Sequence, residues 1–331
     1  PNALIGEVIK YKIIKVKKNF AIGKLLQVIK PSEQRVEPPC KYYWKCGGCQ
    51  LQHMTYDAQL AMKQSQVTNL FHRKAQFSNT IINKTIGMNH PWHYRNKSQL
   101  PIGKDRDGKA IIGYYRQRSH DIIDMDSCLI QDDIHQDIMN HVKQWIIDYD
   151  ISVYNESTKK GLLRHLVIRT GYYSDDKMVV FVTNGKNFQQ ASILVEKLKE
   201  TFPNIASIKQ NINKSHSNVI MGEQSVTLYG KDKIADQLSD TTFKISDQSF
   251  YQINSSQTEK LYQKAIEYAQ LTGEETVLDT YCGIGTIGLY MASVAKHVYG
   301  VEVVPSAIKD AQQNATLNGF ENTTFVCGKA E

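Results

Sequence analysis

The sequence predicts a multidomain α/β protein that consists of a partial small β-barrel, a central α/β domain and the opening of a doubly wound α/β domain. Three observations support this fold class. They are short alternating strands near the N-terminus, mixed strand and helix patterns in the middle, and a strand–loop–helix order with a glycine-rich loop after residue 243. With 331 residues the chain is long enough for two or three buried cores.

The composition is that of a globular protein rather than a membrane protein or a disordered chain. Apolar residues make up 41% of the chain and charged residues 22%, which are ordinary values. No apolar run approaches the roughly 18 residues that cross a bilayer, and the first residues resemble neither an export signal nor a transit peptide. We therefore expect a cytoplasmic protein, and its net charge of +7 suggests an acidic partner.

Residues 1–39 are predicted to form the partial barrel, with strands over Glu7–Val16 and Phe20–Val28. The segment carries aromatic residues among many lysines, a combination that can bind nucleic-acid phosphates and bases. A solvated lysine face that only keeps the protein soluble explains the same pattern equally well. Because the chain has no initiator Met and starts within a strand pattern, we expect the first strands of the barrel to be missing. The lysines are Lys10, Lys12, Lys15, Lys17, Lys18, Lys24 and Lys30.

Periodicity predicts a mixed α/β domain after the barrel. The cysteine-bearing segment Cys40–Gln52 is predicted to be a loop. The elements predicted after it are a helix over Tyr56–Lys74, a helix within Ile134–Tyr149, a hairpin of Leu162–Thr170 and Lys177–Thr183, a helix near Gln189–Glu200, and strands near Ile205–Ile212 and Val226–Leu228.

Beyond residue 243 strands and helices alternate. Ser256 followed by Glu259 is a predicted capping box that opens a helix over Gln257–Gln270. The elements predicted next are strand Thr276–Asp279, helix Thr286–Ala295, strand His297–Val301, helix Pro305–Asn318 and strand Thr323–Val326. Only three strands of a doubly wound sheet fit before Glu331, so we expect this domain to be incomplete.

A cluster of cysteines predicts a metal site. Cys40, Cys46 and Cys49 lie within ten residues, and Cys128 is the one candidate for a fourth ligand before the glycine-rich loop. Iron–sulfur clusters typically take four cysteines, whereas structural zinc more often takes two close pairs. The spacing favours an iron–sulfur cluster, with zinc and unligated thiols as the alternatives.

The glycine-rich segment after Asp279 predicts a nucleotide-cofactor site. Its glycines fit the dinucleotide fingerprint, and Glu302 ends the next strand, where a carboxylate can accept both ribose hydroxyls. Two details favour S-adenosylmethionine. Three residues separate the strand end from the first glycine, and two of them, Tyr281 and Cys282, add bulk that suits a pyrophosphate poorly. A glycine turn used only for helix–sheet packing is the structural alternative.

In combination these segments resemble the uracil-5 RNA methyltransferase family, over essentially the whole chain. That family joins a TRAM barrel, a 4Fe–4S site with four cysteine ligands, an RNA-contacting α/β domain and a Rossmann-like methyltransferase domain that uses S-adenosyl-L-methionine. The residues that carry the resemblance are Pro39-Cys40, Cys46-Gly47-Gly48-Cys49-Gln50, Tyr94-Arg95-Asn96-Lys97, Cys128, Arg164-His165, Ser249 to Asn254, Asp279 to Gly285 and Gly300-Val301-Glu302.

The resemblance implies site residues, a domain division and a substrate. The implied cluster ligands are Cys40, Cys46, Cys49 and Cys128, and the implied cofactor contacts are Gln252, Tyr281 and Glu302, with Thr286 nearby. The implied domains are a partial TRAM barrel over 1–39, a central iron–sulfur and RNA-contacting domain over 40–80 and 115–242, and an incomplete methyltransferase domain over 81–114 and 243–331. The cluster is common in the ribosomal-RNA branch, so the implied substrate is 23S ribosomal RNA, with tRNA as the alternative, and we expect a monomer.

The resemblance also implies a covalent mechanism. In the family a cysteine adds to carbon 6 of uracil, carbon 5 takes the methyl group, and a glutamate removes the proton from carbon 5, after the uridine has left its stack. These residues follow the third strand in the family, so we expect no catalytic residue within 1–331 and no RNA methylation by this chain alone. Cys282, in the cofactor loop, and Cys327, at the end of the third strand, are not expected to be the nucleophile.

Three other functions share parts of the pattern. A zinc-containing dinucleotide oxidoreductase would also use a glycine loop and cysteines, but it would bind NAD. A non-enzymatic RNA-binding protein would share the basic barrel and would need no cofactor site, and a redox enzyme would need a substrate route to the cluster. We further expect RNA binding to be mostly electrostatic and to include Arg164 and Arg169.

Overall fold

The computed structural model describes residues 2–74, 77 and 79–331; Pro1, Ala75, Gln76, Ser78 and the Lys74 side chain lie outside the described part. The chain forms two compact units, one of Pro1–Asn89 with Tyr114–Ile123 and one of His90–Gly113 with Asp124–Glu331. The three-domain division stays a prediction. None of the described helices is both long and apolar enough to cross a membrane.

The first unit begins with an antiparallel hairpin of β1 (Val8–Val16) and β2 (Ala21–Lys30), which confirms the two predicted strands. Its residues are exposed along most of both strands. The chain then continues through the helix α1 (Tyr56–Asn69) and a π-helical turn, Leu70–Lys74. An ion pair between Glu7 and Arg35 holds the start of the hairpin, and the hydrogen bond from Arg35 lowers the pKa of Glu7 to about 2.

The elements that follow are β3 (Lys97–Lys104), β4 (Ala110–Tyr115), β5 (Ile122–Asp124), α2 (Asp133–Asp148), β6 (Leu163–Thr170), β7 (Lys177–Thr183), α3 (Ala191–Thr201), β8 (Ile205–Ile212) and β9 (Gln224–Gly230). Their strands, most of which lie in the second unit, form a mixed sheet of order β5-β4-β3-β6-β7-β8-β9. Both β6 and β7 are buried throughout. The apolar run 178–182 of β7 is typical of a strand that is covered on both faces. Beside the sheet, α2 buries His135, whose ring nitrogens lie 2.6 Å from Ser98 Oγ and 2.9 Å from Thr170 Oγ1.

The C-terminal part of this unit has the predicted strand–helix alternation around a parallel sheet. The strands of this sheet are, in order, β12 (Thr276–Asp279), β13 (His297–Glu302) and β14 (Thr323–Cys327). A hairpin of β10 (Ile234–Leu238) and β11 (Thr241–Ile245) precedes it and was not predicted. The helices of this part are α4 (Ser255–Ala269), α5 (Thr286–Ala292) and α6 (Pro305–Leu317).

The predicted capping box at the start of α4 is wrong. Asn254 caps the helix, because its side chain accepts a hydrogen bond from the Gln257 N–H at 3.2 Å. The Glu259 carboxylate instead accepts the Ser239 N–H at 2.7 Å and the Tyr173 hydroxyl at 2.6 Å. Glu259 therefore joins distant segments and does not cap the helix.

Candidate cofactor site

The glycine loop after β12 brings its backbone to the edge of the parallel sheet. Gly283 has φ +54° and Gly285 φ +82°, a left-handed conformation that favours glycine. A Cβ at Gly285 would lie 3.1 Å from the Phe325 ring, so one side of the loop is closely packed. A Cβ at Gly283 would meet nothing within 4 Å. A ligand can therefore approach the backbone at Gly283.

Glu302 ends β13 beside this loop. Its Oε2 accepts the Gly283 N–H at 3.3 Å and its Oε1 accepts the Val304 N–H at 3.0 Å, which fixes the carboxylate at the carboxyl edge of the sheet. Asp279 ends the neighbouring strand β12; burial raises its pKa, and the negative charge of Glu302 adds to that rise. Asp279 Oδ2 is buried and has no hydrogen-bond partner among the described residues. This edge thus has one oriented carboxylate and a second that burial disfavours as an anion.

Gln252 and Thr286, two of the predicted cofactor residues, meet at one hydroxyl. Tyr262 Oη lies 2.9 Å from Thr286 Oγ1. Burial raises the pKa of Tyr262, whereas its hydrogen bonds with Thr286 and with the Gln252 side chain act in the opposite direction. The Gln252 carbonyl accepts Asn96 Nδ2 at 2.9 Å. Tyr262 was not predicted to belong to the site. Its position on the buried face of α4 is the feature that could have indicated it.

Tyr281 is also in the glycine loop, and its side chain is 71% exposed. Its hydroxyl donates to Glu331 Oε1 at 3.4 Å. An exposed ring between the strand end and Gly283 can stack on a planar ligand at the loop. The structure therefore puts Tyr281 on the glycine loop, Glu302 beside the loop at the end of β13, and Gln252 and Thr286 around Tyr262.

The two cysteines of this region differ in accessibility. Cys282 is 4% exposed, and burial, together with the charges of Asp279 and Glu302, raises the pKa of its thiol to about 12. A thiol with so high a pKa is a poor nucleophile at neutral pH. Cys327 is exposed at the end of β14, with Sγ 3.7 Å from the Val303 carbonyl oxygen.

The cysteine loop lies in the first unit. Cys46 Sγ accepts the Gly48 N–H at 3.3 Å, and the Gly47 N–H donates to the Tyr115 carbonyl at 3.0 Å. Burial raises the pKa of Cys46, and the neighbouring thiols of Cys49 and Cys40 add to the rise. Three thiols of this loop are thus close enough to interact electrostatically.

The predicted metal site itself is not shown. Within the part of the chain that the structure describes, no three His, Cys, Asp or Glu side chains are grouped so as to hold a metal ion. Cys128 belongs to the second unit, where its carbonyl accepts the Gln131 N–H at 3.2 Å. The chemistry of the donors nevertheless fits a thiolate-bound centre, because the four predicted ligands are cysteines without disulfides.

Arg164 and Arg169, which the sequence analysis included in electrostatic RNA binding, are both buried. Arg164 is 7% exposed and donates from Nη1 to the carbonyls of Asn213 and Ser215 at 2.8 and 2.6 Å. Arg169 is 3% exposed and donates from Nη2 to the carbonyls of Asp247, at 3.2 Å, and Ser249. Both guanidinium groups therefore hold backbone segments of the second unit.

With this geometry established, the comparisons with known proteins decide the family. The family model described as tRNA (uracil-5-)-methyltransferase matches residues 55–331. The chain belongs to this family. It is 72% identical over 331 residues to an uncharacterized RNA methyltransferase of Staphylococcus epidermidis strain RP62A, and 71% identical to one of Staphylococcus aureus strain COL. Both alignments cover 100% of this chain and 73% of the relative.

A solved structure supports the same assignment. The Pyrococcus abyssi tRNA (uracil-54, C5)-methyltransferase in complex with S-adenosyl-L-homocysteine superimposes with a TM-score of 0.76 and 26% identity, over 98% of this chain and 72% of that one. The family and this neighbour identify the chain as an RNA uracil-5 methyltransferase that uses S-adenosylmethionine. They favour this function over the dinucleotide oxidoreductase.

Proposed function

We propose that the protein methylates carbon 5 of uridine in 23S ribosomal RNA, in the cytoplasm and as a monomer. The observation that carries the cofactor assignment is Glu302, whose carboxylate is fixed beside the open backbone of Gly283. Ribosomal RNA is favoured over tRNA because the cysteine pattern resembles the ribosomal-RNA branch. The family name and the solved neighbour both refer to tRNA, so tRNA is the alternative substrate.

The cofactor residues have distinct proposed roles. Glu302 accepts the two ribose hydroxyls, and the exposed Tyr281 ring packs against the adenosine. Gln252 and Thr286, held together by Tyr262, contact the other end of the cofactor. When bound, S-adenosylmethionine supplies an electrophilic methyl group on a sulfonium. The buried thiol of Cys282 is not the nucleophile that adds to carbon 6 of uracil.

Deletion of the gene tests the substrate assignment. The 23S ribosomal RNA and the tRNA of the deletion strain should be separated, digested to nucleosides and assayed for 5-methyluridine by mass spectrometry. Loss from the 23S fraction, restored by the wild-type gene, supports the proposal. Loss confined to tRNA would assign the tRNA branch, and unchanged 5-methyluridine in both fractions would contradict the function.

We also propose that Cys40, Cys46, Cys49 and Cys128 hold a 4Fe–4S cluster, with zinc as the alternative metal. The support is the all-thiol donor set and the Gly48 N–H directed at Cys46 Sγ, since hydrogen bonds to the sulfurs tune such clusters. Anaerobically purified protein should contain about four iron atoms per chain, and the variant Cys46→Ser should lose them. One zinc per chain without acid-labile sulfide would contradict this.

The N-terminal hairpin, part of the proposed TRAM barrel, is proposed to bind RNA through its lysines. Tyr11 and Phe20 are exposed on the same segment, as base stacking requires. Changing Lys12, Lys15 and Lys24 to Gln should weaken RNA binding and flatten its salt dependence. Unchanged affinity and salt dependence would mean that the lysines form only a solvated surface.

A further inference from the structure

Three cationic side chains lie together at the start of β3. Lys97 and Arg169 are register partners in the antiparallel pair of β3 and β6. Arg95, two residues before Lys97, folds along the chain and donates from Nε to the Lys97 carbonyl at 2.8 Å. Like charges directly opposite each other on a sheet destabilise it, so this arrangement is unfavourable unless an anion compensates it.

The described residues do not supply that anion. The Lys97 amine is half-buried and has neither a hydrogen-bond partner nor an ion pair among them. The Arg169 guanidinium binds only carbonyl oxygens, and its buried Nε has no partner in the described part of the chain. The acid that acts on both groups is Asp247, but its Oδ1 already accepts a hydrogen bond from Lys209 at 2.8 Å.

The electrostatics of Lys97 reflect this deficit. Burial, followed by the charges of Arg169 and Arg95, lowers the pKa of Lys97 to about 7, and the opposing effect of Asp247 is smaller. An anion placed at the amine would reverse the shift and stabilise the ammonium form. The cluster is thus organised for a ligand with negative charge.

The cluster lies beside the segment that carries Gln252. Asn96, between Arg95 and Lys97, donates from its backbone N–H to the Ile253 carbonyl at 3.0 Å and from Nδ2 to the Gln252 carbonyl. An anion bound at Lys97 would therefore lie on the same backbone framework as the proposed cofactor residue.

We infer that Lys97, supported by the charges of Arg95 and Arg169, binds a phosphate group of the RNA substrate, next to the nucleotide that is presented to the methyl donor. This inference rests on the proposed function. A phosphodiester fits better than the carboxylate of S-adenosylmethionine, because the sulfonium and ammonium of that cofactor would be repelled by three cations. Lys97 makes the contact, while the buried Arg169 contributes charge from the paired strand β6.

The test measures binding of a single-stranded oligouridylate to the whole chain as a function of salt. Lys97→Gln removes the charge, Lys97→Arg keeps it, and Lys104→Gln removes an exposed lysine at the other end of the same strand. One lost phosphate contact lowers the slope of log K against log salt by about 0.7, which corresponds to about fivefold weaker binding at about 0.1 M salt. We expect this change for Lys97→Gln only.

Two further measurements separate this site from other roles. The melting temperature of Lys97→Gln should not fall, because the substitution removes repulsion from Arg169. Binding of S-adenosylhomocysteine should be unchanged. Loss of S-adenosylhomocysteine binding, or wild-type RNA affinity and slope in Lys97→Gln, would overturn the inference but not the proposed function. Failure of the wild-type chain to bind RNA would contradict both.

Discussion

Replacing Glu302 by Gln isolates the role of one carboxylate in cofactor binding. The substitution preserves the size of the side chain but removes its charge and turns one acceptor into a donor. The two carboxylate oxygens accept hydrogen bonds from the Gly283 and Val304 N–H groups. In Glu302→Gln the side-chain NH₂ replaces one of these oxygens, so one backbone N–H then faces another donor. The oriented acceptor pair proposed for the ribose hydroxyls is then lost.

The expected loss follows from the number of bonds affected. A hydrogen bond to a charged group contributes about 1.5–3 kcal/mol. If one ribose hydroxyl loses a charged acceptor and the other retains the amide oxygen, the dissociation constant should rise about 10- to 150-fold. Because Glu302 also raises the pKa of Asp279, the substitution should lower that pKa as well.

Equilibrium dialysis with radiolabelled S-adenosylhomocysteine measures the effect directly. Glu321→Gln is the matched control, since Glu321 is an exposed acid of the same unit in the loop before β14. Unfolding midpoints of both variants in urea show whether the fold is retained. A folded Glu302→Gln variant that binds as tightly as the wild type would refute the assignment of Glu302 to the ribose.

Three more predictions concern packing, titration and reactivity. Gly300→Ala should lower the free energy of unfolding by about 1–3 kcal/mol, because the new Cβ would lie 2.4 Å from a ring carbon of the β14 phenylalanine. Gly328→Ala is the control, since its Cβ would meet nothing within 4 Å, and its unfolding in urea should match that of the wild type. Burial lowers the pKa of His135 from 6.5 to about 4, so between these pH values the unfolded chain binds a proton at this histidine that the folded chain does not. The free energy of unfolding should therefore fall as the pH drops from about 6.5 to about 4. An equal pH dependence of the free energy of unfolding in His135→Gln would show that this histidine is not responsible. Iodoacetamide at pH 8 should label the exposed Cys327 well before the buried Cys282, as peptide mass mapping can show, and equal labelling would contradict the burial of Cys282.

The local patterns in the sequence were enough for the N-terminal hairpin, the glycine loop and the alternation of helices and strands from α4 onwards. Period-two alternation predicted the β1–β2 hairpin. Pro305 marked the start of α6, and the glycines after Asp279 marked the loop that follows β12. The β10–β11 hairpin was not predicted, because the buried acid Asp236 interrupts the apolar alternation of β10. That acid is tolerated because it accepts the Tyr173 N–H and the Tyr251 hydroxyl, contacts that no local pattern reveals.

The errors at the site have the same origin. Asn254 and Ser256 are both good capping residues, and the choice between them depended on Glu259 being engaged by distant residues. In a basic sequence Arg164 and Arg169 are natural candidates for RNA binding. In the structure both are buried, and their guanidinium groups donate hydrogen bonds to carbonyls of segments far along the chain. Residue type and spacing supplied the candidate residues of the site, but they did not show which of these residues reach solvent.

Titration calorimetry with S-adenosylhomocysteine and NAD⁺ shows whether the loop between Asp279 and Gly285 binds S-adenosylmethionine. We expect one S-adenosylhomocysteine bound per wild-type chain, weaker binding by Glu302→Gln, and no binding of NAD⁺. Binding of NAD⁺ in place of S-adenosylhomocysteine would refute the assignment of this loop to S-adenosylmethionine.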